Sequence, residues 1–385
     1  MIHHVKATLR VAFFVIPVFL SCLLAEGNPA LPFRALWMVR TSMTSRVEID
    51  RAIRFAARYG FNHLFVQVRG RDDAFYDSRL VPRTDAISDD GLDPLKYAIL
   101  KGHEMGLKVH AWMNVYLVWS SNANPENRSH ILRRYPDWED ERLNGRSTSA
   151  PGNSTHRFLS PLHPGVNQYL LMVFKEVLTQ YDVDGLHLDY IRYGDSDYGY
   201  NGMGRAGFER EYGIDPLVLS RGAEAESADA GKDERRFLWE QWNRYRRDSV
   251  TELVRRCNSL ILDVNPVCIL SAAVKPEPAV AKSRFFQEWD RWLAEGLVDF
   301  VVPMNYTPNL TEFARNIDRI HESIPTRYWP GIIMGIAIYN QNALDARDKI
   351  RYARIVGFPG ISLFSYDSRK NDPEFFLPIA EEIRR

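Results

Sequence analysis

The sequence predicts an α/β fold, a (β/α)8 TIM barrel with long βα-loop insertions after strands 3 and 4. Short β-rich runs alternate with helical stretches, which requires a parallel sheet with right-handed crossovers. Eight such units fill residues 28–385, enough to close a barrel, whereas a doubly wound sheet uses fewer. No internal repeat and no linker interrupts the series, so 28–385 is expected to be a single domain.

The first strand is "RALWMVR" (34–40), and Ser45 is placed to cap the helix "RVEIDRAIRFAARYG", which stops at Gly60. "HLFVQVRG" (63–70) is the second strand, "DPLKYAILKGHEMG" a helix, and "LKVHAWMNVY" (107–116) the third strand. An irregular insertion, about 117–163, follows. The helix "PGVNQYLLMVFKEVLTQY" leads into the fourth strand (183–190), and a second insertion occupies about 194–233. It begins with one or two helical turns at "GFEREYG" and continues into the loose "SRGAEAESADAGKDE". After the long helix "RRFLWEQWNRYRRDSVTELVRRCNSLI", strands at 267–274, 298–306, 331–339 and 360–367 alternate with helices. Arg244, Arg246 and Arg247 on the long helix read as a solvated face, and Trp289 and Trp292 as helix packing.

Residues 1–27 read as a signal peptide: basic residues, the apolar run "VAFFVIPVFLSCLL", then small residues at Ala25 and Gly27. Export is therefore expected, to the periplasm, the exterior or the cell envelope. Cys22 in "FLSC" offers a lipoprotein signal as the alternative, and a lipid anchor there is the one membrane contact expected. Lys+Arg and Asp+Glu balance at 49 each, so nucleic acid is not an expected partner. A monomer is expected. Cys257 and Cys268 read as two buried thiols, with a disulfide as the alternative in an oxidising compartment.

The chemistry concentrates where "YDVDGLHLDYIRYG" (181–194) ends the fourth strand. Leu186 and Leu188 suit the helix side, which turns His187 and Asp189 into the barrel. The same parity turns Gln67 and Arg69 inward on the second strand, and His110, Trp112 and Asn114 on the third. Barrel interiors are normally apolar, and an unpartnered buried charge is costly. Asp189 is therefore expected at the mouth, meeting Arg69, Asn114 or substrate, with His187 one layer deeper as a hydrogen-bonded core residue or a ligand contact. Other strand ends supply Lys275 and Glu277 ("KPEP"), Asn305 and Tyr306 ("MNY"), Asp367 ("SYD"), and Arg71 and Asp72 ("RGRDDAFYDS"). Carboxylates, amides and aromatic faces together suit sugar chemistry, in which paired carboxylates act as acid and as base or nucleophile.

The stretches "FRALWM", "FNHLFVQVRGRDDAFYDS", "GLKVHAWMNVY", "LSPLHPGV", "YDVDGLHLDYIRY", "WLAEGLVDFVVPMNYT" and "GISLFSYD" resemble, in order, the glycoside-hydrolase-like family ten. The resemblance implies an exported (β/α)8 protein, similar to enzymes that cut peptidoglycan glycan strands stripped of peptides. The fourth strand is also similar to the D-G-x-D-x-D-x-E of chitinase-like barrels at Asp184, Gly185 and Asp189. His187 replaces one Asp, and Ile191 stands where the acidic Glu belongs, which argues against the chitinase route.

The expected function is an exported glycoside hydrolase acting on a cell-wall or related amino-sugar polysaccharide. The alternative is a non-catalytic carbohydrate-binding barrel. Expected catalytic residues are Asp189, with Glu277, Asp72 or Asp367 as the acid. Expected substrate contacts are Arg69, Arg71, Trp112, Asn114, His187, Tyr190, Arg192, Asn305, Tyr306 and Asp367. Trp119, Tyr135, Trp138, Tyr198 and Tyr200 on the insertions are expected to wall an elongated cleft as stacking platforms. His103, His110, His163 and His187 have no tight ligand spacing, so no metal is expected, and without G-x-G-x-x-G or a P-loop no nucleotide cofactor.

Overall fold

Strands that bury both faces must sort their side chains between a barrel interior and a ring of helices, and the period of two does the sorting here. The computed structural model describes residues 31–144, 156–221 and 232–385. Its eight parallel barrel strands are β1 (Phe33–Met38), β2 (His63–Arg69), β3 (Lys108–Asn114), β4 (Gly185–Asp189), β5 (Ile269–Val274), β6 (Phe300–Pro303), β7 (Ile333–Ala337) and β8 (Gly360–Phe364). They pair in the order β6-β5-β4-β3-β2-β1-β8-β7. Bridges from Val301 to Ile332 and from Met304 to Gly335 join β6 to β7 and close the ring. The closure needs glycine at 335, since a Cβ there would sit 2.7 Å from the Pro303 carbonyl oxygen.

Leu64, Val66 and Val68 of β2, Val109, Ala111 and Met113 of β3, and Leu186 and Leu188 of β4 pack outward with the helices. Ala35, Trp37, Phe65, Trp112, Ala273, Phe300, Val302 and Ile333 fill the barrel. Aromatic rings replace much of the usual aliphatic filling. Trp37 meets Trp112 edge-on at 4.6 Å, and Phe65 stacks on His187 at 4.2 Å. Gly185 makes room below, where a Cβ would collide with the His110 ring.

The first helix, Arg46–Arg58, begins as expected at Ser45, whose side chain accepts the Glu48 N–H. The helical stretch after β5, which carries Trp289 and Trp292, is two helices, Pro278–Phe285 and Trp289–Ala294, broken at Phe286 with φ +54°. The first insertion forms an antiparallel pair, Leu117–Ser120 with His156–Phe158. The second is more helical than its composition suggests, with helices Gly202–Tyr212 and Pro216–Arg221. Tyr200, Phe208 and Leu219 pack there against Trp242 of the long helix Lys232–Val264.

Of the basic face of that helix, Arg244 is solvated as expected, while Arg246 and Arg247 are not. Arg246 is buried, donates to the Ser196 and Tyr198 carbonyls, and lies over the Phe286 ring at 3.9 Å. Arg247 is buried against Glu240 and Glu288. Cys257 and Cys268 are free, buried thiols. The leader at 1–27, Cys22 and most of "SRGAEAESADAGKDE" lie outside the described residues.

Candidate active site

β4 brings His187 level with Trp112 of β3 and Ser271 of β5, and Asp189 level with Asn114. That register sets the depth of each polar group. His187 is fully buried below the mouth, its Nδ1 2.7 Å from the Ser271 hydroxyl. Burial holds its imidazole neutral, with a pKa well below the ordinary histidine value, and His110 pushes the same way. It is a core histidine and does not line the cavity above.

Asp189 lies two residues further on, at the strand end, and is 6 % exposed. Oδ2 accepts the Trp112 indole N–H at 3.2 Å, and Oδ1 accepts the Tyr190 backbone N–H at 2.7 Å. Tyr190 adopts φ +51°, a conformation a bulky residue takes only when its surroundings impose it. Burial raises the Asp189 pKa, against the pull of Arg192, the Tyr190 amide, Trp112 and Lys275. A carboxyl so placed can hold a proton at a higher pH than a solvated one, as a general acid must.

The cavity above Asp189 has a volume of about 510 Å³. Of the expected contacts, Trp112, Asn114, Tyr190, Arg192 and Tyr306 line it together with Asp189. The Asn114 amide donates to the Gly70 carbonyl at 2.8 Å and accepts from Gln67 at 3.4 Å. Gln67 in turn accepts from the Arg40 guanidinium at 3.2 Å. Tyr306 stacks on Phe364 at 5.5 Å, and its buried hydroxyl has no hydrogen-bond partner among the described residues. A second cavity, about 600 Å³, continues the groove past Arg40, which lines both. Arg71 belongs to this second part, bonded to Ser120 at 2.7 Å and lying over Trp119 at 5.9 Å.

Several expected residues lie elsewhere. The β2–β3 register shifts between Gln67 and Arg69, so Arg69 pairs with Met113 and leaves the inward parity. Its guanidinium lies outside the barrel, 2.8 Å from Asp72 Oδ1, with both side chains 1 % exposed. Asp72 borders the second cavity, but its Oδ2 accepts the Ile131 N–H at 2.7 Å, so this carboxylate ties the first insertion down and is not a free acid. Asp367 accepts from the Val39 backbone and the Thr41 and Ser42 hydroxyls, clasping the end of β8 to the loop after β1. Glu277 is paired with Arg319 at 2.6 Å outside the cavity. Asn305 is buried, donating to the Phe313 carbonyl and accepting from Asn316. Among the described residues that line the cavity above it, Asp189 is the one carboxylate.

Of the five insertion aromatics, Trp119 lines the groove. Tyr198 and Tyr200 are buried, and Tyr135 and Trp138 stack on each other at 4.2 Å against the core. They fasten the insertions to the rim, where sugar platforms were expected.

Arg40 and His156 line the cavity without having been expected there, and Gln67 and Lys275, read as an inward residue and a strand-end group but not as substrate contacts, line it too. Lys275 was legible, since Ser271 and Ala273 face inward and 275 continues their parity. His156 comes from the insertion hairpin, and no local pattern marks it. No group of three metal-ligating side chains occurs among the described residues.

A closed (β/α)8 barrel with a polar groove at the C-terminal strand ends and a buried acid in its floor belongs to the barrel class that glycosidases share. The chain matches the family described as "Glycosyl hydrolase-like 10" over residues 32–349, and it belongs to that family. It is similar to the glycosyl hydrolase YngK of Bacillus subtilis, 26% identical over 274 residues, covering 65% of this chain and 46% of that one. It is also similar to the glycosyl hydrolase DigH of Escherichia coli K12, 24% identical over 368 residues, covering 80% of this chain and 73% of that one. The chain thus spans about half the length of the first relative and about three quarters of the second. In fold it is similar to the PgaB (BpsB) glycoside hydrolase domain from Bordetella bronchiseptica, with TM-score 0.67 at 14% identity, covering 91% of this chain and 98% of that domain.

Proposed function

We propose that this protein is a glycoside hydrolase that cleaves glycosidic bonds in a cell-wall or related amino-sugar polysaccharide, peptidoglycan glycan strands being the favoured substrate. The observation that carries the reading is Asp189: a buried carboxyl with raised proton affinity, in the floor of a groove at the strand ends. Membership of a glycosyl hydrolase-like family and two relatives named glycosyl hydrolases support it. In this reading residues 1–27 deliver the protein to the cell envelope, and it acts there as a monomer.

A non-catalytic carbohydrate-binding barrel is the second reading. It is favoured by the lack of a second carboxylate among the described residues that line the cavity above Asp189, since glycosidases usually work with two. Incubation with peptide-free glycan strands and with chitooligosaccharides separates the two readings. Hydrolysis requires new reducing ends, read by mass spectrometry. Persistent binding with no product in either substrate overturns the enzyme reading in favour of the second.

A further inference from the structure

The charge in the cavity does not balance. Asp189 is the one carboxylate among its described lining residues, while Arg40, Arg192 and Lys275 bring three cations. Asp73 answers Arg40 at 3.5 Å, while Asp195 holds Arg284 at 2.7 Å and Glu277 holds Arg319 at 2.6 Å. Lys275 and Arg192 are thereby left as a pair of cations. They share one aromatic ring, with Lys275 Nζ 4.4 Å and the Arg192 guanidinium carbon 5.2 Å from the centre of Phe285. Arg192 also lies 4.7 Å over the Tyr190 ring and makes one hydrogen bond among the described residues, to the Tyr193 carbonyl.

Neither cation is a stray surface group. Arg192 is 7% exposed, and the Lys275 backbone is fixed on both sides. Its N–H donates to Gln287 at 2.9 Å, and its carbonyl accepts the Trp289 indole N–H at 3.1 Å. Burial first and Arg192 second lower the Lys275 pKa to about 8, against the pull of Asp189 and Asp195, so the two cations stand together at an electrostatic cost. An anion lying in the cavity against both would relieve that cost.

We propose that Lys275 and Arg192 form a subsite for a sugar carrying a carboxylate, beside Asp189 in the barrel mouth. The inference rests on the glycan reading above and narrows it: a neutral N-acetylated chain leaves Asp189 as the one carboxylate in the cavity facing two cations, and a de-N-acetylated chain adds ammonium groups to them. The second cavity is mixed in charge, with Asp72, Asp73, Asp85 and Glu126 beside Arg40, Arg71 and Arg83, so the carboxylate preference is confined to the cavity above Asp189.

The test is binding, measured calorimetrically on Asp189→Asn protein so that turnover does not intervene. The probes are N-acetylmuramic acid against N-acetylglucosamine, and peptide-free glycan strands against the same strands with carboxyls reduced to alcohols. The carboxylate forms should bind about tenfold or more tightly, the worth of one charge-assisted hydrogen bond. The preference should weaken with salt and shrink severalfold in Lys275→Met. Arg192→Lys, which keeps the charge but loses the fork, controls for misfolding and should retain part of it. Equal binding of parent and reduced probes, absence of binding to every carboxylate probe, or a preference unchanged in Lys275→Met overturns the inference. Wild-type hydrolysis of carboxyl-reduced strands at the parent rate does so too, while leaving the hydrolase reading intact. Carboxylate-selective binding without any hydrolysis would instead sink the hydrolase reading and keep the subsite.

Discussion

Asp189 and Asp72 are both buried aspartates beside an arginine, and their surroundings give them opposite roles. Asp72 has a guanidinium at 2.8 Å and a backbone N–H at 2.7 Å, so its charge is fully answered within the fold. Asp72→Ala would strand Arg69, which is 1 % exposed, and should cost about 3–5 kcal/mol in a denaturant titration. Any folded fraction should retain its activity per molecule. Asp189 is held less firmly, and burial raises its pKa. If it is the proton donor, its protonated form is the active one. Activity should then hold below its pKa and fall as pH rises through it; a base would show the reverse. The Trp112 N–H stabilises the carboxylate, so Trp112→Phe should move that alkaline limb to higher pH and lower kcat about tenfold. A limb that stays in place would separate Trp112 from the titrating group.

The insertions show how elements pay for their own burial. Asp140 lies between the two, fully buried, and accepts the Gly199 N–H at 3.0 Å. Burial pushes its pKa up to about 8, against Ser160, backbone amides and Arg246. Because the folded value lies above the unfolded one, the folded state keeps a proton that the unfolded chain gives up. Stability should therefore fall between about pH 4 and about pH 8 and then level off. Asp140→Asn keeps an acceptor for Gly199 and removes the titration. It should gain about 1 kcal/mol or more over the parent at pH 8 and nothing at pH 4, measured as unfolding free energy. The same elements mark the limits of sequence reading. Strand parity was legible: Leu186 and Leu188 pack outward, while His187 and Asp189 point in. The register shift in β2 was not, because a bulge is a property of the pairing, and it sent Arg69 to the opposite face. Rim residues such as Asn305 and Asp367 leave the strands as the alternation ends, and their destinations depend on neighbouring loops. The buried faces of Tyr198, Tyr200 and Arg246 were hidden for a similar reason, since loop aromatics and helix arginines read alike whether they clamp a loop or meet solvent.

At the scale of the whole molecule, two cavities of about 510 and 600 Å³ share Arg40 and together form a groove across the strand ends. Each falls in the size range that takes a drug-sized ligand, so the groove suits several sugar units in a row. Rate per molecule should therefore rise over the first few units of chain length; full activity on a disaccharide would confine binding to the cavity above Asp189. The central claim is that this groove is catalytic and that Asp189 is its essential carboxyl. The most direct measurement is the rate of reducing-end release from peptide-free glycan strands by wild-type and Asp189→Asn protein, with circular dichroism confirming both folds. The account predicts a loss of at least about a hundredfold in the variant with its fold intact. Release by Asp189→Asn at the wild-type rate would contradict it.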